Sequence, residues 1–534
     1  MMKKTIYLMA IVLTIGTGCK KDFLSPGQID LVYNEVFWKN QKDAEKALLG
    51  TYSLYRGLMV DAQMYNRGDA TTGLINRGWN GGSSDAFYMA GNFSNISGTQ
   101  KSWGALESYA DWNGFYKVVA QANLVISKIE AMPGELFADG KKTSILGEAY
   151  FLRALTYYNI ACIWGNAPMI IESIESSTQV IDANNILINL PRSTDIQIME
   201  QVLKDVSLAV TNLPYGTPGS AEWGIRANKG SAEALTGYAN LWMGFLKKRD
   251  GQASDTNTSD AVKALENLVA GGRYSLAGYN NAQAIQAMYR GQSTEAVFEL
   301  NVSFDQSETY RADHGGIEYI TCKLTPLDGD VSKDRASNIN FVPFSRKVFM
   351  YPEYPTDKRA DLFWDAWESN YDEAFSDVSQ VANDRTKVTW MKKFASFTVD
   401  PAHQWNEYNS YFAEANIPVF RFTGVKLLLA EAYVKNNQPG KAISIVNEIR
   451  SRAGLTAYSG ADLLNEVLQQ RISELVGEGQ IFFDFVRNNY FPFPSAMTAE
   501  RYAQKGYYWP VSSKILTTNK LIAQTPYWNG KTIW

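Results

Sequence analysis

Trp79, Asn80, Asp85, Tyr88 and Trp103 fall within one stretch, residues 64–103, where Gly, Asn and Ser are dense (RGWNGGSSD, AGNFSNISG). A sugar ring has an apolar C–H face and a polar edge. It is therefore held by a flat aromatic side chain flanked by polar groups, each forming a modest hydrogen bond in competition with water. This stretch supplies both kinds of group, and Arg77 and Asn92 extend the polar set. Tyr310 heads a second group with Asp305, Arg311, His314 and Tyr319. Trp405 heads a third, within Gln404-Trp405-Asn406-Glu407-Tyr408-Asn409. The alternative for each aromatic is that it packs its own loop. Trp112, Trp164 and Trp242 lie on helical faces and are assigned to the core, since Trp and Tyr are large hydrophobes first.

Bond-breaking chemistry finds less support. Glycoside hydrolysis needs two carboxylates about 5–10 Å apart in the fold, and no spatial pair can be read from the sequence. His314 and His403 are the two histidines, and they form no ligand-spaced zinc motif. A Ser-His-Asp triad lacks its G-x-S-x-G elbow. Asp328, Asp330, Ser332 and Asp334 alternate as in a calcium loop, but Lys333 stands where Gly is required and Ile339 where Glu is. The expectation is binding without catalysis, with no metal and no cofactor. Lys and Arg number 51 against 55 Asp and Glu. That balance lacks the basic surplus of a nucleic-acid binder.

The elements that must position these groups are mostly helical. Of the 534 residues 45% are hydrophobic, 13% are aromatic and 20% are charged, a globular balance with an excess of Trp and Tyr. Apolar residues recur at helical spacing from Asp43 (Ala44, Ala47, Leu48, Tyr52, Tyr55), then over 112–129 and 145–164. The last of these is apolar almost all round, which predicts burial on several sides. Helices are further predicted from Thr194 (Ile196, Met199, Leu203, Val206 and Val210 on one face), over 232–247, and over 261–268 after the polar loop RDGQASDTNTSD. Residues 271–415 read as loop-rich, with a strand at 296–302. Helices return at 425–436 and 441–453, with Gly454 placed as a C-cap, and a third carries Leu464, Leu468, Ile472 and Leu475. Leu429-Ala430-x-x-Tyr433, Asn437 at the turn, then Ala442 and Val446 follow tetratricopeptide spacing, with a looser copy from Ala239 to Ala261. Such pairs bury their faces only by stacking.

The first 19 residues have Lys3 and Lys4, an apolar run from Ile6 to Ile15 too short to span a bilayer, and Gly16-Thr17-Gly18 before Cys19. This resembles a lipoprotein leader in which Cys19 becomes acylated; the alternative is an ordinary leader with a chance Cys. Three cysteines, Cys19, Cys162 and Cys322, form no disulfide framework. The organisation read from this is a leader over 1–18, a lipidated tether over 19–28, a helical region over 29–270 interrupted by 64–103, and a region over 271–534 whose helices occupy 417–487.

Several segments, in order, resemble the SusD/RagB family of surface glycan-binding lipoproteins. They are Cys19-Lys20-Lys21-Asp22-Phe23-Leu24; Trp112, Tyr116 and Asn123; Glu148–Ala154 with Trp164-Gly165-Asn166-Ala167-Pro168; Arg226-Ala227-Asn228-Lys229-Gly230; and Asp357-Lys358-Arg359. Arg421, the run from Leu427 to Ala432, Asn447 through Leu455, Arg471 through Asp484, Arg487, and Trp509-Pro510-Val511 with Asn519 and Gln524 continue the series. Gln480, Ser512 and Thr525 depart from it, standing where Arg, Pro and Asn are usual. The resemblance implies a mainly α fold: a tetratricopeptide-like helical solenoid scaffold with a loop-rich ligand-binding half and a few short strands. It also implies an oligosaccharide or polysaccharide ligand, a SusC-like TonB-dependent barrel as partner, and an outer-membrane position facing the cell exterior through the lipid anchor alone. The shared Arg, Glu and Asp motifs are read as scaffold. Peptide uptake on the same scaffold and glycoside hydrolysis are the rival readings.

Overall fold

The computed structural model describes residues 37–60, 65–72, 74, 109–175, 189–302, 350–365, 390–391, 393–394, 397–405, 408–413, 415–492 and 497–531. Six helices come first: α1 (Gln41–Met59), α2 (Asn113–Ala131), α3 (Lys141–Trp164), α4 (Asp195–Asn212), α5 (Lys229–Arg249) and α6 (Asp255–Ala270). Side chains hold the N-termini of α1, α4 and α5. Asn40 caps Asp43, and Thr194 and Asn228 form reciprocal capping boxes with Gln197 and Ser231. The apolar faces then have to be covered. Helix α3 has no polar side, and every residue from Gly147 to Trp164 is buried. It lies against α1, α2 and α4, and each of the six helices packs on the next in the chain.

The next elements are α7 (Ala282–Arg290), β1 (Ala296–Leu300), α8 (Lys358–Phe363), β2 (Trp364–Asp365), β3 (Trp390–Met391), β4 (Phe397–Trp405), β5 (Tyr408–Ala413) and β6 (Ile417–Arg421). They form three antiparallel pairs: β1 with β6, β2 with β3, and β4 with β5. The chain then returns to helix in α9 (Phe422–Lys435), α10 (Pro439–Arg452), α11 (Leu463–Leu475), α12 (Ile481–Asn488), α13 (Ala499–Ala503) and α14 (Ser513–Thr518). Helix α9 packs on α6, α10 and α11 and so continues the stack. Ala430, Ala442 and Val446 are fully buried where α9 and α10 meet, and Asn437 takes a left-handed φ of 54° at the turn. Gly454 has φ 84°, the conformation its capping role requires. Trp112, Trp164 and Trp242 are core, as expected.

Five local expectations are corrected. The buried stripe of α4 runs through Ile198, Val202, Asp205, Val206 and Ala209, while Ile196, Leu203 and Val210 are half-buried. Its inner face carries Gln201 and Asp205 because Arg153 of α3 needs a partner there (Nη2 to Asp205 Oδ1, 2.7 Å), and inward polar residues displace the apolar signal. Helix α6 begins at Asp255, inside the polar run, whose side chains are largely exposed. Residues 417–421 are a strand, drawn into β pairing by β1. The loop-rich part holds two unforeseen helices, α7 and α8. Residues 65–72 form helical turns within what reads as insertion, and Arg67, Gly68, Asp69, Thr71 and Thr72 are buried in the scaffold.

Candidate ligand-binding segments and their buried root

Trp79, Asn80, Asp85, Tyr88, Trp103 and Tyr310 lie outside the described residues, as does Cys19. Trp405 is the last residue of β4, its backbone paired with Tyr408; its side chain is likewise outside them. The structure does define where the segments that carry these residues are rooted.

Residues 75–108 are flanked by two stems that touch. In the leading stem, the Arg67 guanidinium is ringed by Tyr109, Phe115, Trp164 and Trp509 at 5.2–5.6 Å from their centroids. It donates to the Tyr109 carbonyl of the trailing stem at 2.5 Å. Two residues on, the Asp69 carboxylate accepts backbone N–H groups from Gly477 (2.6 Å), Gly479 (2.9 Å) and Ile481 (3.1 Å). Gly68 makes this approach possible, since a Cβ there would sit 1.9 Å from the Gly479 carbonyl oxygen.

Residues 303–349 and the β4–β5 hairpin share the second root. The Asn416 N–H donates to the Tyr289 carbonyl (2.8 Å), its Nδ2 donates to Glu299 (2.7 Å), and its Oδ1 accepts the Val302 N–H (2.9 Å). Lys393, ahead of the hairpin, donates to Glu478 Oε1 (3.0 Å) and to the Glu474 carbonyl (3.2 Å). The Met350 carbonyl, where the chain returns, accepts from Ser473 (2.6 Å) and Gln469 (3.1 Å).

Both roots meet at the turn between α11 and α12. Glu478 in that turn accepts from Lys393, Tyr289 (2.7 Å) and Arg421 (3.1 Å). Arg421 also reaches Glu295 (2.9 Å). Arg452 bridges Glu295 (2.7 Å) and Glu474 (3.1 Å), and Arg359 bridges Asp357 (2.6 Å) and Glu474 (3.2 Å). Burial alone would raise Glu474, but Arg452, Arg359 and Arg421 hold it down to about 2. Glu478 is likewise held below the ordinary carboxylate range against its burial, by Arg421 and Lys393. Burial pulls Lys393 down, and Glu478 opposes that.

These carboxylates are matched by cations and closed to solvent, so they hold structure and do not offer a hydrolytic pair. The crevice beside them, lined by Met288, Tyr289, Glu295, Glu299, Phe420 and Arg421, measures about 10 Å³. That is room for about one water and no sugar ring. Among the described residues no group of His, Cys, Asp and Glu is arranged to hold a metal ion. Arg67, Gly68, Asp69, Lys393 and Asn416 escape a reading by periodicity, because each works through a partner distant in the chain.

Comparison with known proteins decides the family. The family model of the SusD family matches residues 349–528, and a SusD-like model described as starch-binding, associating with the outer membrane, matches residues 78–236. This is a SusD-like protein. A SusD-like protein of Formosa agariphila is 24% identical over 530 residues, covering 90% of each chain. A SusD homologue of Bacteroides thetaiotaomicron has the same fold, with a TM-score of 0.73 at 23% identity over 92% of this chain and 99% of its own. A laminarin-binding SusD-like protein superposes with a TM-score of 0.63 at 19% identity over 91% and 99%.

The residues at which this SusD-like chain departs from the family pattern are each hydrogen-bonded within the scaffold. Ser512 uses an N–H that Pro lacks, donating to the Ala110 carbonyl (3.2 Å), and its hydroxyl caps Ile515. Gln480 accepts from the Tyr238 hydroxyl (2.7 Å) and donates to the Val419 carbonyl (3.0 Å). The Thr525 hydroxyl donates to the Trp509 carbonyl (3.0 Å). Each polar group is satisfied inside the same scaffold.

Proposed function

We propose that this protein captures an oligosaccharide or polysaccharide at the outer surface of the cell, without cleaving it, and delivers it to a SusC-like TonB-dependent barrel. The observation that carries this reading is that the three segments bearing the aromatic-and-amide groups are rooted on one buried, ion-paired joint. Flat aromatics on separate segments present a ligand with little entropic loss when their stems are fixed relative to one another. Membership of the SusD-like family, the outer-membrane association in the description of its matching model, and a laminarin-binding protein of the same fold support a glycan as the ligand class. Acylation at Cys19, after removal of residues 1–18 and ahead of the tether 19–28, would hold the protein on the membrane; among the described residues no helix is long and apolar enough to cross one.

The test is a panel of glycans and peptides against the soluble chain from Lys20 onward, read by Trp fluorescence and calorimetry, with an assay for new reducing ends. Saturable binding of a glycan without new ends is the expected result. Trp79→Ala, Trp103→Ala and Trp405→Ala are expected to include at least one variant weakened by about tenfold, the effect of losing one stacked platform of roughly 1–2 kcal/mol. Binding confined to peptides, or new reducing ends, would overturn the proposal.

A further inference from the structure

Glu299, like Asp69, stands apart from the ion-paired carboxylates at the joint. It is 5% exposed, yet no cation is paired with it among the described residues. Asp357, Glu295, Glu474 and Glu478 are matched by Arg359, Arg421, Arg452 and Lys393. Its two hydrogen bonds are both accepted by Oε1, from the Gln292 N–H and from Asn416 Nδ2. No described donor reaches Oε2. A buried carboxylate with no counter-charge, bonded to described residues through one oxygen only, is more stable carrying a proton on the other.

We infer that Glu299 acts in its protonated form as a positioning residue, holding Asn416, and through it the stem at Val302, and that losing this proton loosens the stem. The groups that face it point the same way. From β6, Arg421 is already engaged by Glu295 and Glu478, and Glu295 itself lines the same crevice as a second carboxylate. From α7, Tyr289 donates to Glu478. The neighbours Gln292, Asn416 and the Gly224 carbonyl are neutral. Ionised Glu299 would therefore have no cation of its own among the described residues. Burial pushes Glu299 up to about 7, and the bonds from Gln292 and Asn416 only partly oppose it.

The sign follows from linkage. The closed stem holds a proton that an opened, hydrated Glu299 releases near its ordinary value of 4.5. The stabilisation is full below that value and is lost as pH rises to about 7. Hydrogen exchange of the chain from Lys20 onward, resolved to the amides of Gln292, Val302 and Asn416 and corrected for intrinsic exchange, reads it directly. Protection is expected to fall by about tenfold or more between pH 5.5 and pH 8. Glu299→Gln keeps an acceptor for both donors and cannot ionise, so its protection should be flat across this range and should exceed wild type at pH 8. Wild-type protection at these amides that is flat, or that rises with pH, would overturn the inference. So would a Glu299→Gln profile that still falls. If that variant does not fold, the wild-type profile still decides. The amides of Gly477, Gly479 and Ile481 report Asp69 separately and so keep the two carboxylates apart.

Discussion

Arg421→Met is expected to lower the stability of the protein by about 3–5 kcal/mol or to prevent folding, because it leaves the buried carboxylates Asp357, Glu295, Glu474 and Glu478 facing only Arg359, Arg452 and Lys393. Glu295 and Glu478 are both fully shielded, and Arg421 touches each. Lys393 and Arg452 would remain, but they are already engaged by Glu478, Glu474 and Glu295. The internal control is Lys441→Met. Lys441 pairs with Glu266 across α10 and α6 at side-chain exposures of 56% and 40%, and losing that pair should cost at most about 1 kcal/mol. Urea titration of the two variants separates these outcomes; an Arg421→Met midpoint as close to wild type as that of Lys441→Met would mean that the network contributes little. A second test uses pH. Glu474, held down to about 2, contributes stability that is present above its ordinary value of 4.5 and lost as pH falls toward 2. Wild-type stability should therefore drop steeply in acid, and the deficit of Arg421→Met should narrow there as its surplus buried carboxylate takes up a proton.

The second large effect is expected at Gly68. In Gly68→Ala the new methyl would lie 1.9 Å from the Gly479 oxygen and 2.3 Å from its carbonyl carbon, both backbone atoms. The stem has to withdraw, and the three hydrogen bonds to Asp69 go with it. Overpacking of this kind costs about 1–3 kcal/mol before the lost bonds are counted. Gly57→Ala is the matched control. Nothing lies within 4 Å of a Cβ at Gly57, an exposed position in α1, so replacing Gly in a helix should stabilise by about 0.5–1 kcal/mol. Thermal unfolding of both variants should thus move in opposite directions. Gly68→Ala should also weaken any glycan found by the binding panel, since it disturbs the root of the segment that carries Trp79 and Trp103. Equal melting temperatures for the two variants would show that the stem yields without cost.

Helices such as α3, α9 and α10 were legible because the information that specifies them is local. Their apolar spacing, the cap at Gly454, and the small residues Ala430 and Ala442 all act within a few residues of one another. The Arg, Glu and Asp motifs were assigned to the scaffold through the family resemblance, not through their spacing. Where a helix face is chosen by a distant partner, local spacing misleads. Asp205 and Gln201 point inward on α4 because Arg153 is there, and residues 417–421 become a strand because β1 lies beside them. The mixture of aromatics and amides in residues 64–103 could be recognised from composition, but it does not indicate which residue faces a ligand.

From residue order alone came a mainly α, tetratricopeptide-like scaffold, a leader over residues 1–18 ahead of Cys19 as an expectation, and a family likeness that the comparisons bear out. Tertiary structure alone revealed that Asp69 meets a turn 408 residues away and that Asn416 reaches Glu299 across 117. The physical reason lies in the range of the forces. Helix formation and capping are decided over three or four residues and leave a period in the sequence. Pairing of buried charges is decided by which groups the packed helices bring within about 3 Å, and sequence spacing carries no trace of that distance.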